Sequence, residues 1–454
     1  MRIDSFNDVI SFTESFTNLE KQTAHYTTRT YRLDRMHTLL SHLGNPEQSF
    51  KKIHLAGSKG KGSTASYLAS GLTALGYKTG LYLSPHLVDY RERFTLSGTF
   101  FEEGLLVQAG RQLVQNLEGF TFTDEWGETN PTTFELFTAY AYILFKLAGC
   151  SWAVIETGLG GRLDATNTIE PQAVVLCPIE LEHTKILGNT ISQIATEKSK
   201  IIKKGVPVFI GYEMDEAMEV FLQEAQAQQC TSFQLSKELI QLQSSTTLQG
   251  ENVLIRWSDT QENSLCLRMR GKVQAQNSAL ALLVLKKLGL YSEKILPAFE
   301  NNQIPGRFEQ IGKEPNLYVD GAHTTNSLRE LLFSFSSLHS QTANTIIFGS
   351  LEDKDHTHMA SLVLDHFRTI IISKPGTFKK SDIFALKELM ERLALKRTES
   401  FNILLVEDNL EALKTAYTLT DKDAAILCCG SFYLGGGIKK AVEQLRSSYE
   451  SQLA

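Results

Sequence analysis

No apolar run in this 454-residue chain reaches the roughly eighteen residues that a membrane-crossing helix needs, so no membrane span is expected. Residues 1–8 lack the basic start and apolar core of a secretory signal, and none is expected. Positive charge is not in excess. The 45 Lys and Arg stand against 51 Asp and Glu, and the net charge of −6 gives no reason to expect nucleic acid. Cysteine is sparse. Cys150, Cys177, Cys230, Cys266, Cys428 and Cys429 show neither a C-x-x-C pair nor metal-ligand spacing, and most fall in apolar, strand-like segments. Reduced thiols in a cytoplasmic protein are the reading, which excludes a disulfide framework. There is no internal repeat and no low-complexity tract. One core seldom supports a chain this long, so two domains are expected.

What the chain does have is glycine placed for a phosphate. Residues 54–64 read His-Leu-Ala-Gly-Ser-Lys-Gly-Lys-Gly-Ser-Thr. Ile53, Leu55 and Ala56 run into Gly57, Gly60 and Gly62, with Lys59, Lys61 and Ser63 among them. In such a loop the backbone N–H groups turn onto phosphate oxygens and the next helix presents its positive end. A lysine reaches the outer phosphates and a hydroxyl joins a Mg²⁺ shell. The spacing departs from G-x-x-x-x-G-K-[ST], because a glycine follows Lys61. A glycine-rich turn with surface lysines is the alternative. Context favours phosphate: Ala65, Leu68, Ala69, Leu72 and Leu75 recur at helical spacing over 64–75, Gly76 stops that helix, and 79–83 reads as a second strand. ATP is the expected cofactor.

Residues 1–45 read as helical and end at Leu43-Gly44-Asn45-Pro46. Residues 134–147 form a strongly apolar helix, and 153–155, 173–179 and 206–210 are short apolar strands. Strands alternating with helices indicate a mostly parallel sheet. Residues 231–270 are rich in Ser, Thr and Gln, with hairpin-like alternation at 252–256 and 264–268, before helix returns at 274–288. Near Ile304-Pro305-Gly306 the pattern restarts. Strands at 317–319, 345–348, 369–372, 403–406 and 425–428 are separated by helical segments, the first from Ser327. The fold class is therefore α/β: a P-loop-containing, mostly parallel sheet domain over 1–303, followed by a smaller Rossmann-like α/β domain over 304–454.

Chemistry-bearing residues collect at strand ends, where open parallel sheets bind ligands. Ser84, in Ser84-Pro85-His86-Leu87, can give an oxygen to Mg²⁺ or serve as a turn serine. Glu156 ends a buried strand facing the phosphate loop, a natural Mg²⁺ ligand. It opens Glu-Thr-Gly-Leu-Gly-Gly-Arg-Leu-Asp-Ala-Thr-Asn over 156–167, where Arg162 and Asp164 offer both signs of charge. His183, in Glu182-His183-Thr184, is either a metal ligand or a structural histidine. Glu197-Lys198 reads by itself as a solvated helical pair. Arg307 suits a phosphate, and Asp320, in Asp320-Gly321-Ala322-His323, suits a ribose hydroxyl or a helix cap. His356 and His358 read as a solvated loop rather than a metal pair. Gly430-Ser431 is a weak signal alone.

Taken together these segments resemble the folylpolyglutamate synthase and dihydrofolate synthase family of the Mur ligase superfamily, nearly end to end. The resemblance rests on 43–46, the glycine loop, 84–87, Glu92-Arg93, the run 156–167, His183-Thr184, Leu187-Gly188 and Thr190. It continues through Glu197-Lys198, Pro305-Gly306-Arg307, 320–323, Asp353-Lys354-Asp355 and Gly430-Ser431. It implies that Gly57, Lys59, Gly60, Lys61, Gly62 and Ser63 hold the triphosphate, and that Asn277, Arg307 and Asp320 contact the nucleotide. Ser84 and Glu156 would bind one Mg²⁺ and His183 a second, supported by a carbamate on Lys198. Thr132, Thr133, Phe134 and Glu135, with Leu163, Asp164 and Ala165, match pterin-binding loops. His323 and Ser431 match positions linked to the incoming glutamate, and Lys61, Lys198, His183 and His323 carry the catalytic roles.

The implied activity is ATP-dependent addition of L-glutamate to the γ-carboxylate of a folate through an acyl phosphate. The implied partners are small molecules only (ATP, glutamate, and folate or dihydropteroate), and a monomer is expected. Four departures stand out. Lys59 replaces an Asn, Glu182 an Asp, and Thr324-Thr325 an Asn-Pro, while Lys200 interrupts an Ala-Gly. Residues 28–35 read Thr-Arg-Thr-Tyr-Arg-Leu-Asp-Arg where the dihydropteroate-using type has Asp-Leu-Gly-Leu, which favours folate. A sister Mur-type ligase and a non-catalytic nucleotide binder are the alternatives.

Overall fold

A computed structural model describes residues 2–18, 32–126, 129–340, 343–376 and 380–453. Among the described residues, two short helices stand in the stretch 1–45 that reads as helical, and 19–31 lie outside the described residues. Phe6–Glu14 opens on a reciprocal cap between Ser5 and Asp8, and Leu33–His42 ends at Gly44 and Asn45, both with positive φ. Of the 28–35 run, 28–31 lie outside the described residues.

Eight strands follow: β1 (Lys51–Ala56), β2 (Thr79–Tyr82), β3 (Phe94–Leu96), β4 (Thr99–Phe100), β5 (Trp152–Glu156), β6 (Ala173–Leu176), β7 (Val208–Ile210) and β8 (Ser232–Gln234). They form one sheet in the order β4-β3-β2-β5-β1-β6-β7-β8. The run from β2 to β8 is parallel, and β3 and β4 add antiparallel strands at one edge. β2, β5, β6 and β7 are buried along their whole length, as expected of strands covered on both faces. The apolar helix Thr133–Leu147 is buried almost all round, beside Phe94, Phe101 and Leu113.

β9 (Leu239–Thr246), β10 (Glu251–Trp257) and β11 (Glu262–Leu267) form a three-stranded sheet in the order β11-β10-β9. β9 was not foreseen. Its Gln and Ser residues are half-exposed or exposed, so no apolar run marks it.

Six more strands, β12 (Glu309–Lys313), β13 (Asn316–Val319), β14 (Thr345–Phe348), β15 (Thr369–Ile372), β16 (Asn402–Leu405) and β17 (Ala425–Cys429), take the order β12-β13-β17-β14-β15-β16. All are parallel except β12, an antiparallel edge strand that sequence reading missed. It is polar and half-exposed, and its register shifts between Gln310 and Gly312, so it carries no alternating signal. Two compact units result. One holds Met1–Gln243, Leu254–Leu265 and Ala275–Asn302; the other holds Ser244–Val253, Cys266–Gln274 and Gln303–Ala454.

All six cysteines are free thiols, and four are buried. Burial pushes the Cys177 thiol up to about 12, which leaves it inert. Among the described residues no helix is long and apolar enough to cross a membrane.

One buried ion pair ties the helix Leu33–His42 to the helix Thr133–Leu147. Arg35 is 0% exposed and donates from Nε and Nη2 to Glu135 at 3.0 and 3.1 Å, and from Nη2 to the Asn130 carbonyl at 2.7 Å. Its guanidinium also lies 4.1 Å from the Phe122 ring centre. Arg35→Leu should cost about 3–5 kcal/mol in chemical denaturation, because Glu135 is left as an unpaired buried charge. Adding Glu135→Leu should recover part of that loss.

Candidate active site

The phosphate loop leaves β1 in a conformation that only glycine fits. Gly57 has φ +155, and a Cβ there would stand 2.7 Å from the Cys177 carbonyl oxygen. The N–H groups of Ser58 and Lys59 donate to the Pro178 carbonyl at 2.8 and 3.1 Å, pinning the loop to the end of β6. Gly60 has φ +80, and a Cβ there would run into Asn277 Oδ1. The helix Lys61–Ala74 starts three residues ahead of the expected 64. Its first intrahelical bond joins Thr64 N to the Gly60 carbonyl, so the N–H groups of Lys61, Gly62 and Ser63 are those a helix start leaves for an anion.

Two ammonium groups meet on one oxygen. Lys61 Nζ and Lys198 Nζ each donate to the Gly57 carbonyl at 2.9 Å. Lys61 also lies 3.7 Å from Glu156 Oε1, and Lys198 lies 3.1 Å from Glu182 Oε1. The expected solvated Glu197-Lys198 pair is corrected here. Lys198 is 2% exposed and turned inward, while Glu197 pairs with Arg162 at the surface. Successive helical residues point about 100° apart, so neighbours in sequence need not share a face. Burial pushes the Lys198 ammonium down in pKa, against the pull of Glu182. Burial resists ionisation of Glu182 too, but Lys198, Lys61, Lys59 and His183 outweigh it and hold its carboxyl below the usual range.

Glu156, at the end of β5, is 5% exposed, and its Oε2 accepts from Ser84 N at 3.1 Å. The Ser84 loop is shaped by Glu92, whose carboxylate collects the N–H groups of Leu87, Val88 and Asp89 at 2.6, 3.0 and 2.9 Å. Arg93 Nε donates to His86 Nδ1 at 3.0 Å. His183 is exposed, with φ 49, at the start of the short helix Thr184–Leu187. Among the described residues no cluster of three His, Cys, Asp or Glu side chains could hold a metal unaided.

The residues expected at pterin-binding loops are largely engaged with backbone groups of the protein itself. Asp164 is 2% exposed and accepts from Leu159 N at 2.8 Å and from the Thr166 amide and hydroxyl at 3.0 and 2.5 Å. Instead of offering charge outward, it closes the loop. Thr132 caps the helix Thr133–Leu147 reciprocally with Glu135, and the Thr133 hydroxyl donates to the Thr13 and Phe16 carbonyls, each at 3.1 Å. Phe134 is half-buried over Gly158, where any Cβ would meet its ring. Leu163 is half-buried and Ala165 buried.

In the second unit, Arg307 stacks 4.5 Å from the Phe432 ring centre, and Nη1 donates to the Gly306 carbonyl at 3.2 Å. Asp320 accepts from Phe308 N and Ala322 N, both at 2.7 Å. His323 Nδ1 lies 2.7 Å from the Gly321 carbonyl. Ser431 is 2% exposed and accepts from Tyr433 N at 3.2 Å. His356 and His358 do not lie in a loop. They begin the helix His356–His366, one on the Leu351 carbonyl and the other on Asp355, the cap of that helix.

Residues 106–285 match the Mur ligase middle domain, and residues 306–432 match the Mur ligase glutamate ligase domain. The chain is 30% identical over 446 residues to a folylpolyglutamate synthase of Lacticaseibacillus casei, covering 96% of this chain and 99% of that protein. It is 28% identical over 418 residues to a Bacillus subtilis dihydrofolate synthase/folylpolyglutamate synthase, covering 90% and 95%. A Mycobacterium tuberculosis folylpolyglutamate synthase solved in complex with ADP superposes with a TM-score of 0.84 at 25% identity, covering 96% and 97%.

Gly57→Ala should lower nucleotide affinity by at least about tenfold in calorimetric titration, since its Cβ has no room against backbone. The far-ultraviolet circular dichroism should be unchanged. A pH effect is expected beneath the same loop. Glu213 accepts from Ile179 N at 2.6 Å, and burial pushes its carboxyl from an ordinary 4.5 up to about 7. A raised carboxyl stabilises the fold fully below 4.5 and loses that contribution as pH rises through 7. Thermal midpoints should therefore fall over this window by an equivalent of about 2 kcal/mol, and Glu213→Gln should flatten the fall.

Proposed function

Because the chain belongs to the folylpolyglutamate synthase and dihydrofolate synthase family of Mur ligases, we propose that it is an ATP-dependent ligase joining L-glutamate to the γ-carboxylate of a folate. The observation that carries the reading is the convergence of Lys61, Lys198 and Glu156 at a glycine loop that runs into a helix N-terminus, the arrangement that suits a phosphate. The folate carboxylate oxygen attacks the γ-phosphorus of ATP, and the bond to the bridging oxygen breaks to release ADP. The amine of glutamate then attacks the acyl carbon, loses a proton and expels phosphate. No enzyme nucleophile is required; positioning and charge carry the catalysis.

We assign Lys61 to the outer phosphates, reached by releasing the Gly57 carbonyl. The N–H groups at the start of the helix Lys61–Ala74 take the remaining phosphate oxygens. Asn277, Arg307 and Asp320 are assigned to the nucleotide, and His323 and Ser431 to glutamate. Thr132, Thr133, Glu135, Asp164 and the buried Ala165 would act by holding the shape of the folate loops, leaving the half-buried Phe134 and Leu163 as the contact surface. Lys59 adds a cation near Glu182.

Glu156 and the Ser84 hydroxyl fit a Mg²⁺ ion as hard oxygen donors, and so sparse a protein ligand set suits an ion that keeps water and phosphate oxygens. When bound, Mg²⁺ would neutralise phosphate charge. A second Mg²⁺ at His183 with a Lys198 carbamate fits less well. Lys198 holds the contacts of an ammonium, and a carbamate would set a second anion against Glu182 and the Gly57 carbonyl. Neither is needed for the steps above. A cytoplasmic monomer completes the proposal.

Dihydropteroate is the second candidate substrate, because the Bacillus subtilis relative carries both activities in its name. Purified protein with ATP, Mg²⁺ and glutamate should release phosphate with tetrahydrofolate. Release only with dihydropteroate would make it a dihydrofolate synthase. Release with neither would leave a sister ligase or a nucleotide binder. Glu156→Ala should abolish ligation by about a hundredfold or more while the thermal midpoint stays near that of the parent; near-normal turnover would remove the Mg²⁺ assignment.

A further inference from the structure

His54 was read from sequence only as part of the approach to the phosphate loop. It lies on β1, three residues before Gly57, paired in register with Ile155 and Val174, and is 0% exposed. Its Nε2 is 2.8 Å from the Thr166 hydroxyl, and Thr166 is itself 0% exposed. That hydroxyl has a single hydrogen, which goes to Asp164 Oδ1 at 2.5 Å. Toward His54 it can only accept. The imidazole is neutral, held down to about 3 by burial and by the Lys203 charge, so its hydrogen sits on Nε2. Nδ1 is buried without a hydrogen-bond partner. A polar ring is kept there at the cost of one unmet acceptor, and the donation to Thr166 is what it provides in return.

The far end of this chain of bonds is the loop assigned above to folate. Asp164 receives Thr166 on one oxygen and Leu159 N on the other, and so closes the segment that carries Leu163 and Ala165. We propose that His54 is a positioning residue. Through Thr166 and Asp164 it ties the folate-contacting loop to the strand that delivers the phosphate loop, and so sets the folate against the γ-phosphate. The role of the loop rests on the functional reading above; the tie itself does not.

Two measurements separate the two. In hydrogen exchange, the peptide covering 158–167 should exchange faster in His54→Leu and in Thr166→Val, whereas His54→Gln, whose amide N–H reaches to the same place, should match the parent. In steady-state kinetics, His54→Leu should raise the KM for tetrahydrofolate about tenfold and leave the KM for ATP within about twofold, as expected for one lost buried hydrogen bond. His54→Leu/Thr166→Val should be no worse than the poorer single variant. Thr166→Val keeps β1 intact and carries the test if His54→Leu folds poorly. Equal exchange in the Leu and Gln variants, a parallel rise in both KM values, or additive effects would overturn the proposal. Loosened exchange in a protein whose parent ligates no folate would uphold the tie and overturn its link to folate.

Discussion

Two lysine ammonium groups share the carbonyl oxygen of Gly57, and the arrangement of the first unit around its phosphate loop follows from that crowding. Like charges this close repel, and they persist because Glu156 and Glu182 flank them. The site is thus charged in advance for a polyanion. On the function proposed above, a triphosphate at the loop would give Lys61 a better partner than a peptide carbonyl, with little reorganisation of the surroundings. Glu182 stays ionised although it is nearly covered, because the charges of Lys198, Lys61, Lys59 and His183 outweigh the cost of its burial.

Such a loop has to be held from behind, and the holding is done by backbone amides and one side chain. The amides of Ser58 and Lys59 rest on the end of β6, and Asn277 presses against Gly60. Side chains at both glycines would break these contacts. The same economy recurs in the neighbouring loops. Glu92 gathers three amides beside Ser84, Asp164 closes the loop after Glu156, and the Thr132–Glu135 cap is locked by buried Arg35. The polar side chains of these loops are turned onto their own scaffold. Their carboxylates and hydroxyls are spent on N–H groups that irregular backbone would otherwise leave unsatisfied.

The second unit follows the same logic on a smaller sheet. Asp320 uses its carboxylate to fix the backbone at the end of β13, and the Arg307 guanidinium lies over the Phe432 ring. Gly321 permits the arrangement, since a Cβ there would strike the Phe432 ring.

Much of this was legible in the residues themselves. Short apolar strands between helices announce a parallel sheet because both faces must be covered, and β14 and β15 fall where the apolar runs placed them. Glycines beside lysines announced the loop, because few other residues allow such backbone. The polar strands β9 and β12 were hidden, since an exposed edge leaves no apolar period. Tertiary structure alone decided the rest: that Lys198 faces inward while Glu197 does not, that Asp164 is closed off, and that His54 reaches Thr166 across 112 positions of chain. Local pattern reports which residues seek cover. Which polar groups then meet depends on distances between segments far apart in sequence, and only the packed sheet sets those.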